Sequence, residues 1–162
     1  MKPPENGGFL RVEIEGNMKA RKANLMDLKC VADLAMALWP GHDEDAFTAE
    51  MAEYISAREK AAFLMEEGRT AIGLALCSLR HDYVEGAEES PVGYLEGVYV
   101  DEAYRGRGAA RALLDAAQQW AKELGCRQFA SDCELANQES LAFHLACGFE
   151  EANRIICFVK DL

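Results

Sequence analysis

Tyr94-Leu95-Glu96-Gly97-Val98-Tyr99-Val100-Asp101-Glu102-Ala103-Tyr104-Arg105-Gly106-Arg107-Gly108-Ala109-Ala110-Arg111 is the stretch on which the fold turns. Residues 94–100 alternate as a strand, the pattern breaks at Asp101, and a loop rich in Arg and Gly opens directly into a helix. Ala110, Leu113, Leu114, Ala117, Trp120 and Leu124 mark one face of that helix. The first turn of a helix has N–H groups without internal partners and the positive end of the macrodipole, so Arg105 to Ala110 can wrap a pyrophosphate mainly with main chain. Gly106 and Gly108 let that backbone approach phosphates with no Cβ in the way. A dinucleotide fold wants a third glycine where Arg111 stands, and a nucleotide P-loop wants a Gly-Lys-Ser/Thr ending that is absent.

Around this stretch, 162 residues of which 50% are hydrophobic suffice for one domain with a sizeable core. We expect that domain to run over 18–162, with 1–17 as a loosely tied extension in which Phe9 to Ile14 alternates enough for a short strand. No apolar run reaches transmembrane length and the start lacks the pattern of a secretory signal, so the expectation is a cytoplasmic protein without a membrane partner. Cys30, Cys77, Cys126, Cys133, Cys147 and Cys157 show no Cys-x-x-Cys pair and read as buried free thiols, with no metal site indicated. A net charge of −11 argues against nucleic acid as a partner and favours a cationic ligand.

The remaining pattern alternates strands and helices. Met18 to Ala23 reads as a strand, Leu25 to Leu38 as a helix stopped by Pro40-Gly41, and a second helix begins near Asp43 with Phe47, Met51, Tyr54 and Ile55 on one face. Ala61 to Met65 and Ala71 to Leu79 form a hairpin about Glu66-Glu67-Gly68-Arg69. The long helix ends at Gly125, Arg127 to Asp132 is a short strand, Asn137 to Cys147 a short helix, and Phe149 to Lys160 supplies one or two final strands. This is an α/β (α+β) sandwich around a mixed sheet.

Arg105-Gly106-Arg107-Gly108-Ala109-Ala110 resembles the acetyl-CoA signature of the GCN5-related N-acetyltransferase (GNAT) superfamily, and Asn137, Ser140, Phe143, His144, Gly148 and Phe149 follow its later segment. The resemblance implies a GNAT fold: a central, mostly antiparallel sheet splayed at the acetyl-CoA site and flanked by helices. It implies that Val98, Tyr99, Val100, Arg105, Gly106, Arg107, Gly108, Ala109, Ala110, Arg111 and Asn137 hold acetyl-CoA, with the pantetheine arm added strand-like to the backbone. A backbone N–H near Val98 would stabilise the oxyanion. His144 stands where the family has a Tyr acting as general acid to the CoA thiolate.

Strand alternation puts Tyr94, Glu96, Val98 and Val100 on one face, so the Glu96 carboxylate interrupts an apolar row, and Asp132 ends the next strand. Two carboxylates converging on one cleft would hold an ammonium and take the proton that the amine must lose. Leu38-Trp39-Pro40-Gly41-His42, Arg80-His81-Asp82-Tyr83-Val84, Tyr94 to Val100 and Phe129-Ala130-Ser131-Asp132 together resemble the aminoglycoside 6′-N-acetyltransferases of the chromosomal Gram-negative type. That resemblance implies a catalytic set of Glu96, Asp132 and His144 and a substrate site of Trp39, His42, Tyr83, Glu96 and Asp132. It also implies a homodimer, to which the apolar Ile155, Ile156 and Phe158 lend support. Where the family has a further substrate-binding acid, this chain has Asn153. The same chemistry on another amine, and a non-catalytic acyl-CoA-binding module, are the alternative readings.

Overall fold

A computed structural model describes residues 12–14 and 17–162. The strands are β1 (Val12–Ile14), β2 (Met18–Lys22), β3 (Lys60–Glu67), β4 (Thr70–Arg80), β5 (Val92–Val100) and β6 (Phe129–Ser131), and the helices α1 (Leu28–Leu38), α2 (Glu44–Ser56), α3 (Ala109–Glu123) and α4 (Gln138–Ala146). The strands lie in one sheet in chain order; each neighbouring pair is antiparallel except β5 and β6, which are parallel. The rest of the expected extension, 1–11 with 15 and 16, lies outside the described residues. Asp43 caps α2 through its side chain, and Gly125 (φ 91°) follows α3 in the left-handed conformation that suits a helix end.

The sheet separates two packed layers. On one side the apolar face of α3 covers Ala61, Phe63, Met65, Ala75, Cys77 and Leu95. On the other, α1 and α2 cover Ala62, Leu64, Leu74 and Leu76 with Val31, Ala35, Phe47 and Met51. Adjacent residues along β3 and β4 thus divide between the two layers, as the period of two requires.

On β5 that period breaks where function is expected. Leu76 pairs with Gly97 but Cys77 pairs with Leu95, so Glu96 is the extra residue of a β-bulge. Leu95, Val98 and Val100 pack toward α3, while Tyr99 belongs to the opposite layer. A Cβ on Gly97 would meet Leu38 and Trp39, which places Gly97 on the α1 side beside Glu96. The expectation that Tyr94, Glu96, Val98 and Val100 share a face is therefore corrected: the bulge keeps Tyr94 and Glu96 on the cleft side and turns Val98 and Val100 into the α3 core.

The final segment also differs from expectation. Residues 150–162 form no strand and are exposed. Ile156 and Phe158 are 80% and 90% exposed.

The start of α1 is tied to the sheet by a charged network. Asp27 accepts from Arg21 through both oxygens, at 2.8 and 2.7 Å, and Arg21 also reaches Glu66 at 2.6 Å. Chiefly the Arg21 hydrogen bond holds the Asp27 carboxyl below the usual carboxylate range, against the opposing effect of burial. A carboxyl depressed in the folded state contributes stability above its unfolded value and loses it as pH falls through the folded one. Asp27→Asn is expected to cost roughly 1.5–3 kcal/mol at pH 7 by urea unfolding and to shrink the stability loss of the wild type below about pH 4.

Candidate active site

The end of β5 runs through Asp101 and the turn Glu102–Tyr104 into the glycine-rich loop. Gly106 (φ 74°) and Gly108 (φ 83°) both adopt the left-handed region, where a Cβ is strained. Space above Gly106 is open, since a Cβ there would meet no atom within 4 Å. The first hydrogen bond of α3 runs from the Ala112 N–H to the Gly108 carbonyl, so the N–H groups of Ala109, Ala110 and Arg111 precede the ladder. Side chains fasten the loop: Arg105 Nε donates to the Val100 carbonyl at 2.9 Å, Arg107 donates to Glu67 at 2.6 Å, and Arg111 donates to the Ala146 carbonyl. Main chain is thus what the loop offers an anion, and a pyrophosphate fits it.

β5 and β6 pair only from Gly93–Phe129 to Leu95–Ser131. Beyond Ser131 the strands part, and β5 alone continues from Glu96 to Val100, leaving its backbone open on the β6 side. Such an edge accepts an extended ligand by main-chain pairing.

On the α1 and α2 side of the same strand lies a cavity of about 400 Å³ lined by, among others, Trp39, His42, Glu50, Ser78 and Glu96. Each wall has a local cause. Trp39 follows the last turn of α1 and closes it with its N–H on the Ala35 carbonyl at 2.8 Å, just before Pro40. His42 stacks on Phe47 of α2, with centroids 4.6 Å apart. Glu50 lies three residues along α2 from Phe47, beside the buried stripe. Glu96 is presented by the bulge.

Glu96 is held by three donors. Ser78, itself buried, donates to Oε1 at 2.6 Å, Arg80 Nε donates to Oε1 at 3.2 Å, and Arg80 Nη2 donates to Oε2 at 2.8 Å. Burial works against the Arg80 charge, but contact with Glu96 outweighs it and raises the guanidinium above its ordinary value. The guanidinium carbon sits 3.3 Å from the Tyr94 ring centroid, and the Tyr94 hydroxyl donates to Asp132 Oδ2 at 2.5 Å. Burial first, then the Asp132 hydrogen bond, pushes the Tyr94 hydroxyl well above its ordinary value, so it stays a donor. Glu96 and Asp132 are thus joined through Arg80 and Tyr94, although Asp132 does not line the cavity.

His144 lies in α4 against the end of β6. Its Nδ1 is 2.6 Å from the Ser140 carbonyl oxygen, which can only accept, so Nδ1 carries the proton. Nε2 is 2.8 Å from Ser131 Oγ, and the one proton of that hydroxyl is shared between Nε2 of the neutral ring and the Leu95 carbonyl at 3.2 Å. Proton donation from Nε2 requires the imidazolium, and it passes to Ser131. Asn137 caps α4, its Oδ1 accepting from the Ser140 N–H at 3.0 Å.

Tyr83 is not brought to the cavity; it is 81% exposed on the β4–β5 connection. Its hydroxyl donates to Glu85 at 2.8 Å, and Asn153 Nδ2 donates to the other Glu85 oxygen at 3.1 Å. Asn153 first, then Tyr83, holds the Glu85 carboxyl below its ordinary value. An acid therefore stands one hydrogen bond away from the position where the family resemblance places one.

Sequence reading missed Ser78 and Arg80, Ser131 and Glu50. Ser78 and Arg80 were legible as an i, i+2 pair on the hairpin strand facing Glu96, and Glu50 as the polar neighbour of the Phe47–Met51 stripe. Among the described residues no group of three or more His, Cys, Asp or Glu is placed to hold a metal ion. No helix among them is long and apolar enough to cross a membrane.

A sheet opened between two parallel strands, with an anion-binding loop at one end of the opening, is the architecture of an acyl-CoA-dependent transferase. The acetyltransferase (GNAT) family model matches residues 28–149, and the chain belongs to that family. Within the family it groups with the aminoglycoside N(6′)-acetyltransferases. It is 42% identical to the aminoglycoside N(6′)-acetyltransferase type 1 of Salmonella enteritidis over 143 residues, 88% of this chain and 99% of that protein. It is 44% identical to the enzyme of the same name from Stenotrophomonas maltophilia over 144 residues, 88% and 92% of the two chains. The structure of AAC(6′)-Iy with the bisubstrate analog CoA-S-monomethyl-acetylneamine matches with a TM-score of 0.87 at 41% identity, covering 90% of this chain and 99% of that one.

Proposed function

We propose that the chain transfers the acetyl group of acetyl-CoA to the 6′-amino group of aminoglycosides, directly, in a ternary complex. The observation that carries this is the cavity between Trp39 and the two carboxylates of Glu50 and Glu96, built on the opposite face of the strand whose edge lies open beside the anion cradle. A polycation fits such a wall, and Trp39 and His42 offer flat faces to sugar rings. The names of the relatives support the acceptor class.

In this reading Gly106 to Arg111 hold the pyrophosphate through main chain, and Val98 to Val100 receive the pantetheine arm. Arg105 secures the loop by its bond to Val100. Glu96 and Asp132 bind ammonium groups, and Glu96 takes the proton of the reacting amine through a water. The nitrogen lone pair then forms the bond to the acetyl carbonyl carbon, the Val98 N–H stabilises the oxyanion, and the carbon–sulfur bond breaks. The reacting ammonium gives up two protons. The first passes through water to Glu96 and on to solvent before attack; the second, lost from the tetrahedral intermediate, balances the one that sulfur gains as CoA leaves as the thiol, with His144 and Ser131 on the route to sulfur.

Direct transfer needs no acyl-cysteine. Cys133, exposed just beyond Asp132, is the thiol nearest this machinery in sequence. Cys133→Ser is expected to leave kcat within about twofold of wild type, and a collapse of the chemical step with the fold intact would count against direct transfer.

We infer further that the protein acts in the cytoplasm, without nucleic acid or membrane, as a homodimer. The exposed apolar Ile155, Ile156 and Phe158 support the dimer, since a run of such side chains is costly to leave in water. Light scattering is expected to report a dimer for the full chain and a monomer after deletion of residues 154–162; a monomeric full chain refutes it.

The function is tested by thiol release from acetyl-CoA with kanamycin and tobramycin beside a 6′-hydroxyl aminoglycoside, spermidine and a peptide. Release with the 6′-amino compounds alone is the expected result. Release only with spermidine or peptide refutes the acceptor, and acetyl-CoA binding without release refutes the enzyme.

A further inference from the structure

Glu96 is held toward the cavity from β4 by Ser78, which lines the cavity, and by Arg80, which does not. An ionised carboxylate has about four acceptor positions, and three of these are filled from the β4 side by Ser78 Oγ, Arg80 Nε and Arg80 Nη2. Two donors fall on Oε1 and one on Oε2, so the open position is on Oε2. Glu96 and Ser78 line the cavity, but Arg80 does not; its guanidinium stands behind the carboxylate, flat on Tyr94, whose hydroxyl in turn binds Asp132. The arrangement follows from the sheet: Ser78 and Arg80 share a face on β4, Tyr94 and Glu96 share the facing side of β5, and the bulge brings Glu96 within reach of both donors.

We propose that Arg80 is a positioning and specificity-determining residue of the transfer reaction, a resident cation that fixes Glu96 with one acceptor position toward the cleft and limits it to a single substrate ammonium. This rests on the reading of Glu96 as an ammonium-binding residue. A carboxylate with free rotation and full charge, beside Glu50 on the opposite wall, would hold amines more tightly and in several orientations. Arg80 cancels the excess charge and removes the rotation, exchanging some ground-state affinity for a single orientation of the amine.

Two changes separate this role from simple support of the sheet. In Arg80→Met the cation and the fork are both lost, so KM for kanamycin is expected to fall about three- to fivefold while kcat falls about tenfold or more. Arg80→Lys keeps the charge without the two-point hold, so KM stays within about twofold of wild type and kcat is partly restored relative to Arg80→Met. Steady-state kinetics of the full chain with kanamycin at saturating acetyl-CoA read both values, and far-ultraviolet circular dichroism establishes folding. Should Arg80→Met fail to fold, Arg80→Lys decides: reduced kcat at unchanged KM supports the inference, and raised KM at wild-type kcat overturns it. Wild-type turnover of kanamycin combined with raised KM and unchanged kcat in Arg80→Met also overturns it while the acceptor assignment stands. A wild type that releases no thiol with any aminoglycoside overturns both.

Discussion

Glu96→Ala is expected to lower kcat/KM for kanamycin by about 10²–10³-fold while acetyl-CoA affinity stays within about twofold of wild type. The loss has two parts. The cavity loses the carboxylate that faces the substrate amine, and the Arg80 guanidinium, left on the Tyr94 face, changes from a partner of Glu96 into a repulsive neighbour of the incoming ammonium. The anion cradle has separate supports, in the Arg105–Val100 and Arg107–Glu67 bonds, so donor binding persists. Glu96→Gln separates charge from shape: the amide oxygen still accepts from Ser78 and Arg80 Nε, but the amide NH2 replaces the acceptor of Arg80 Nη2, so melting is expected to fall by several degrees while the chain still folds, and most of the activity loss remains. Calorimetric titration of acetyl-CoA beside steady-state kinetics makes the measurement. Full activity in Glu96→Gln would refute ammonium binding by this residue. The wild-type kcat/KM is also expected to fall as salt rises, because the attraction runs between partly exposed charges.

The fold was legible where a single local rule operated. The strand, glycine loop and amphipathic helix around residues 94–124, the hairpin of β3 and β4, and the caps at Asp43 and Gly125 each follow from a period or a turn residue that acts within a few positions. Of the candidate site, Trp39, His42 and Glu96 meet at one cavity, whereas Tyr83 and Asp132 do not line it. The geometry of the site was not legible, because the deciding element is a bulge. One extra residue in β5 reverses the faces of everything after it, and no alternation count reveals where the partner strand skips. The same limit hid Arg80, whose importance lies in pairing across β4 and β5, and Ser131, which acquires a role only when α4 folds His144 onto it. Residues 150–162 show the opposite failure. Their alternation suits a strand, but a strand also needs a partner to pair with, and alternation says nothing about whether that pairing forms.

Gly97→Ala is expected to disturb the substrate site more than the fold. A Cβ at this position would stand 2.6 Å from Leu38 Cδ2 and 2.7 Å from Trp39 Cζ2, well inside van der Waals contact. The Trp39 main chain is fixed, its N–H on the Ala35 carbonyl and Pro40 following immediately, so relief of the clash falls to the ring, which borders the cavity. Overpacking of this kind costs about 1–3 kcal/mol, which lowers the melting temperature by roughly 3–9 °C. The larger effect falls on the cavity, since relief of the clash swings the Trp39 ring relative to Glu96, the next residue to Gly97; KM for kanamycin is expected to rise about tenfold or more. Trp39→Phe removes the indole atoms in collision and leaves only the Leu38 contact, so in a double-mutant cycle Gly97→Ala should cost much less in KM when Trp39→Phe is already present than when it is made alone. Additive effects in that cycle would show that the glycine is required for some reason other than the indole wall. Coupling would show instead why a residue with no side chain stands beside the carboxylate: at the bulge, the space its Cβ would occupy is already filled by Leu38 and by the Trp39 wall of the cavity.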